Sequence, residues 1–157
     1  MEEIPVVSNS SPLIALDRIE QLSLLPSLVR RVWIPPAVRY EVFGSSSLPD
    51  WITEQALTQP LVPRMAAARL GPGERETIAL ALEMSAGEVI LDDLPARRLA
   101  ISLGLFPVGT LGLLLRAKRQ GLISRVRPFM EALQEQEFYI SERLFAGILV
   151  AAGEDVT

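Results

Sequence analysis

With 157 residues the chain has room for one ordinary domain, because a second core would be undersized, and a single domain over residues 1–157 is expected. An apolar fraction of 49% beside 22% charged residues excludes disorder and demands a filled interior. The chain has neither cysteine nor histidine, which excludes disulfide frameworks, thiolate nucleophiles, histidine-dependent triads, the two-histidine ribonuclease mechanism and histidine-ligated zinc hydrolases. Any catalysis therefore rests on carboxylates, hydroxyls, Lys or Arg. The net charge of −4 is opposite in sign to the footprint of a protein whose main work is holding nucleic acid, and leaves room for a local basic patch only. No apolar run approaches the roughly 20 residues of a membrane helix. The start, Met1-Glu2-Glu3, is acidic where a secretory signal is basic, so a cytoplasmic protein with no membrane association is expected.

Ile4-Pro5-Val6-Val7 is a short β-branched run that ends at Ser8-Asn9-Ser10-Ser11-Pro12, which predicts a buried strand turning into a helix capped by Ser11, with Pro12 in its first turn. A further helical stretch runs from about Gln21 to Leu28. Val32-Trp33-Ile34 is a second strand, stopped by Pro35-Pro36, which opens a helix carrying Glu41. Between Gly44 and about Pro63 serines and prolines mark the most mobile loop, with a short strand near Trp51-Ile52. A helix follows Gly71-Pro72-Gly73 to about Met84, with Glu74 and Glu76 near its start where the helix dipole favours acids. Glu88-Val89-Ile90-Leu91 is a strand that meets Asp92-Asp93. Beyond it come a helix over Ala96 to Leu103, a brief strand at Phe106-Pro107-Val108 and a long helix capped by Thr110. Helices at about Val126 to Gln136 and Ser141 to Ala152 close the chain, with an edge strand at Tyr139-Ile140 between them. Strands alternating with helices predict an α/β fold with a parallel sheet covered on both faces.

Open parallel sheets build their sites at the carboxyl ends of strands, near the switch in strand order. Asn9 and the Asp92-Asp93 pair fall at such ends, and a sheet order that sets the helices of Glu41 and Glu76 beside the first strand gathers oxygen donors from all of them. Carboxylates crowded together repel one another, and a hard cation such as Mg²⁺ or Mn²⁺ relieves that cost. Such a cation also polarises a phosphoryl oxygen and activates water, which points to phosphodiester hydrolysis without histidine.

The runs Val6-Val7-Ser8-Asn9-Ser10-Ser11-Pro12-Leu13-Ile14, Ile34-Pro35-Pro36-Ala37-Val38 with Glu41, Gly71-Pro72-Gly73-Glu74 with Glu76, and Leu91-Asp92-Asp93 with Ala96-Arg97 occur in an order that resembles the PIN-domain family. The stretch Gly109-Thr110-Leu111-Gly112 through Ala117-Lys118 and Gly121-Leu122-Ile123 is similar to a prokaryotic subgroup related to VapC-type toxins. The resemblance implies a three-layer α/β/α domain around a central parallel sheet, Mg²⁺ or Mn²⁺ as cofactor, and RNA as substrate. It also implies a cognate antitoxin protein as partner and a homodimer as the assembly. Position by position it makes Asn9, Glu41, Glu76 and Asp93 the catalytic and metal-binding set, with Asp92 as a further metal ligand and with Asp92 and Glu74 as close substitutes. Asn9 departs from the family pattern, which carries Asp there, so a neutral amide oxygen stands in for a charged ligand.

Each of these residues also suits a plainer role. Asn9, Ser10 and Ser11 are turn and N-cap residues, Glu74 and Glu76 fit a helix start, Glu41 fits a solvated surface, and one aspartate of the pair caps the following helix. Arg116, Lys118, Arg119, Arg125 and Arg127 are either an RNA-backbone contact or an ordinary solvated face. The leading function is a metal-dependent endoribonuclease, the toxin of a toxin–antitoxin pair; the alternative is a weakened PIN-like module that binds RNA or antitoxin. A phosphoacceptor signalling domain has the wrong order of acids, since its acidic pair follows the first strand.

Overall fold

The computed structural model describes residues 4–59 and 69–157. Met1-Glu2-Glu3 and the end of the expected mobile loop, residues 60–63, lie outside the described residues. Five strands form one parallel sheet: β1 (Val6–Ser8), β2 (Val32–Ile34), β3 (Ile52–Glu54), β4 (Glu88–Ile90) and β5 (Pro107–Val108), in the order β3-β2-β1-β4-β5. The chain first builds outward from β1 to β3. It then returns to place β4 against the other side of β1, with Ser8 in register with Ile90. The switch in strand order therefore lies between the carboxyl ends of β1 and β4.

Alternation along the strands feeds two cores. Val6 and Ile90 join the apolar cluster beneath α1 (Ser10–Arg18), α2 (Leu24–Val29) and α3 (Pro36–Phe43), whereas Val7 and Val89 face α4 (Pro72–Glu83) and α5 (Leu94–Ser102). The first core is completed by α6 (Thr110–Arg119), α7 (Arg127–Glu135) and α8 (Glu142–Ala152) through Leu113, Leu114, Met130, Leu133 and Leu149. Val7 and Val89 are fully buried, as is usual for parallel strands covered on both faces. The result is the three-layer α/β/α arrangement expected from the alternating elements.

The expected edge strand at Tyr139-Ile140 does not form. The sheet ends at β3 and β5, and this dipeptide instead links α7 to α8, burying Ile140 in the first core while Tyr139 stays 86% exposed. Ser11 lies inside α1, and Asn9 takes the N-cap position instead. No helix among the described residues is long and apolar enough to cross a membrane.

Candidate functional site

Asn9 follows directly from β1, and its backbone N–H donates to the Ile90 carbonyl at 3.0 Å, joining the carboxyl ends of β1 and β4. It caps α1 by position, yet its side chain makes no capping bond and is almost fully buried. Its amide oxygen faces the start of α4 instead. A Cβ built on Gly73 would stand 2.7 Å from Glu41 Oε1 and 3.4 Å from Asn9 Oδ1, so the first turn of α4 approaches both oxygens only because residue 73 has no side chain. Three elements, β1, α3 and α4, thus converge on one glycine.

Glu74 follows at once in α4, half-buried, with Oε2 accepting the Gly71 N–H at 3.2 Å. Burial pushes its carboxyl above the usual carboxylate range. The Gly71 N–H pulls the other way, and the negative charges of Asp93 and Glu41 raise it further. Among the described residues no cation opposes these charges on Glu74. Asp93 caps α5, where Oδ2 accepts the Ala96 N–H at 3.0 Å, and it lies exposed at the mouth of the site, as does Glu41.

Asp92 behaves differently from its neighbour. Its Oδ1 accepts the Thr110 N–H at 2.8 Å and its Oδ2 accepts the Thr110 hydroxyl at 2.6 Å. Burial raises its carboxyl, while the two Thr110 bonds and the nearby Arg97 lower it. Glu76 lies three residues past Gly73, about one turn on, and so on the side of α4 that Gly73 turns toward Asn9 and Glu41. The structure therefore gathers Asn9, Glu41 and Asp93 with Glu74. Asp92 is adjacent, with both oxygens on Thr110.

Among the described residues no three acidic side chains are drawn close enough to form a ready metal shell. The donor set nevertheless suits a hard divalent cation: three carboxylates and an amide oxygen, and the residue after Asn9, Ser10, has a buried hydroxyl with no hydrogen-bond partner. The close approach at Gly73 and the mutual repulsion felt by Glu74 are what a cation at this point would exploit and relieve.

Sequence pattern alone did not single out Gly73 or Thr110 as site residues. Gly73 reads as part of a turn and Thr110 as a helix cap, and only the tertiary contacts give them their roles. The basic residues of α6 and beyond lie elsewhere. Arg116 pairs with Glu88 at the start of β4, at the opposite edge of the sheet.

Acidic and amide oxygens gathered at the switch point of a parallel sheet define an α/β domain with its candidate site where open sheets of this kind bind ligands. A family model described as a PIN domain matches residues 5–154, and the chain belongs to that family. Membership carries nuclease-like function and nucleic-acid binding, and PIN domains are generally divalent-metal-dependent nucleases. No curated protein and no solved structure matches the chain.

Proposed function

We propose that this PIN domain, working as one unit over residues 1–157, is a Mg²⁺- or Mn²⁺-dependent endoribonuclease. Asn9, Glu41 and Asp93 hold the cation together with an acid from the start of α4, Glu74 or Glu76. The observation that carries this reading is the convergence of Asn9 and Glu41 on Gly73 beside a Glu74 whose carboxyl is raised by burial and by Glu41 and Asp93. When bound, the cation supplies Lewis acidity toward the phosphodiester and a nucleophile near neutral pH, the task histidine performs elsewhere. Asn9 contributes a neutral oxygen from the buried floor. Asp93 keeps Oδ2 on the Ala96 N–H and has Oδ1 to spare, while exposed Glu41 closes the side facing solvent. The similarity of the Gly109–Ile123 stretch to VapC-type toxins supports a toxin role, with an antitoxin as partner and a homodimer as assembly.

The neutral amide at Asn9 favours a second reading, in which the fold binds RNA or antitoxin with weakened catalysis. Cleavage of a mixed RNA pool with Mn²⁺ separates the two. The expected result is metal-dependent cleavage that Asn9→Asp strengthens, with Mn²⁺ binding about tenfold tighter because ligand charge sets affinity. Asp93→Asn, which keeps the α5 cap, abolishes it. Absence of cleavage by both wild type and Asn9→Asp establishes the binding module instead.

A further inference from the structure

The turn that presents Asp93 is held at three successive residues. Arg97 Nη1 donates to the Leu91 carbonyl at 3.1 Å, Thr110 donates twice to Asp92, and Asp93 accepts from Ala96. The Leu91 N–H in turn donates to the Val108 carbonyl at 3.0 Å, so the ends of β4 and β5 are bonded just before their chains diverge. Helix α6 begins at Thr110 behind Gly109, a cap residue with no side chain, and a carboxylate from the neighbouring strand end satisfies its first free N–H. Thr110 is fully buried, so water is not at hand to replace the bonds.

Gly109 shows how tightly this junction is built. A Cβ there would stand 2.9 Å from both Asp92 Oδ1 and Arg97 Nη1, and 3.6 Å from the Leu91 carbonyl. With both oxygens on Thr110, Asp92 is committed to α6. Of the adjacent pair, Asp93 is the one whose charge acts on Glu74.

We infer that Thr110 is a positioning residue for the cation site: through Asp92 it fixes the turn that carries Asp93, and Asp92 itself is a brace outside the ligand set. The inference rests on the metal-dependent reading above. Groups that orient metal ligands without touching the ion commonly affect affinity by about 10- to 100-fold.

The test is Mn²⁺ titration by calorimetry, well below each variant's melting temperature, on wild type, Thr110→Val, Thr110→Ser and Asp92→Ala. Thr110→Val keeps the N–H and the shape but removes the hydroxyl, and is expected to weaken Mn²⁺ binding about tenfold. Thr110→Ser restores the hydroxyl and wild-type affinity. Asp92→Ala, which removes both acceptors, weakens binding at least as much, and combining it with Thr110→Val adds little because both changes break one contact. Wild-type affinity in a folded Thr110→Val protein overturns the positioning role, and additive losses in the double variant make Asp92 an independent ligand. If wild type takes up no Mn²⁺, the metal-dependent reading fails, and the inference with it.

Discussion

The two edges of the sheet treat charge in opposite ways. At the amino edge, Arg116 meets Glu88 through two bonds of 2.9 and 2.6 Å. Nearby, Lys118 Nζ reaches the Ala152 carbonyl at 2.6 Å and Glu154 at 2.9 Å, while Glu154 also accepts the Val126 and Arg127 N–H groups. At the carboxyl edge, none of the described ion pairs includes Glu41, Glu74 or Asp93. Charge is cancelled internally where it ties α6, α7 and α8 together, and among the described residues it is left uncancelled at Glu41, Glu74 and Asp93. The same contrast bears on the basic cluster, since Arg116, Lys118 and Arg127 are already engaged and Arg127 also lies over the Phe145 ring at 5.5 Å.

The strongest way to break this comparison is to neutralise one carboxylate at the open edge. Glu74→Gln is expected to weaken Mn²⁺ binding by about 100-fold, since it removes a charged oxygen donor. It should at the same time leave the metal-free melting temperature unchanged or raised, because a partly buried charge facing Glu41 and Asp93 is gone. Calorimetry and thermal melts read both effects, and a lowered melting temperature would show that the edge is not under repulsion.

The closed edge should respond in reverse. Glu154→Ala strands two N–H groups and leaves Lys118 with the Ala152 carbonyl alone, and is expected to cost about 2 kcal/mol while Mn²⁺ affinity stays at the wild-type value. The pH dependence has a definite sign. Burial pushes the Glu154 carboxyl up, but the bonds from Val126, Lys118 and Arg127 outweigh it and hold the group below the usual carboxylate range. A depressed folded pKa adds stability above the unfolded value, and that stability is lost as pH falls through the folded one. Wild type should therefore lose stability below about pH 4.5 more steeply than Glu154→Gln. Parallel slopes in melts across that range would remove Glu154 as the clasp.

Much of the fold was legible because its signals are local. Val32-Trp33-Ile34 is bounded by Pro35-Pro36 and forms β2 as predicted, and the Glu88 run meets Asp92-Asp93 at the end of β4. The site was legible in part, since Asn9 and Asp93 lie at strand ends and Glu41 on a helix that follows one. Glu74 and Glu76 could not be separated, because both occupy the first half of α4, and it takes the tertiary structure to show that the charges of Asp93 and Glu41 act on Glu74. Asp92 and Asp93 are equivalent in local pattern and are distinguished by Thr110, 18 residues further on. Tyr139-Ile140 has strand-like side chains, but a strand also needs a free sheet edge beside it, which no local pattern reports.

The smallest expected effect falls on the most visible ion pair. Arg116 and Glu88 are each about one-third exposed, with side-chain exposures of 31% and 30%, so solvent screens much of their attraction. Glu88 contributes most to raising the Arg116 pKa, against the opposing effect of burial. Arg116→Ala is therefore expected to lower stability by no more than about 1 kcal/mol. It should also leave the salt dependence of RNA binding unchanged, because a guanidinium already held by a carboxylate at the amino edge releases no counterions from a phosphate at the carboxyl edge. A salt slope shallower by about one phosphate contact would mean that RNA reaches around to α6, and the separation of a self-neutralised edge from a ligand-completed one would no longer hold.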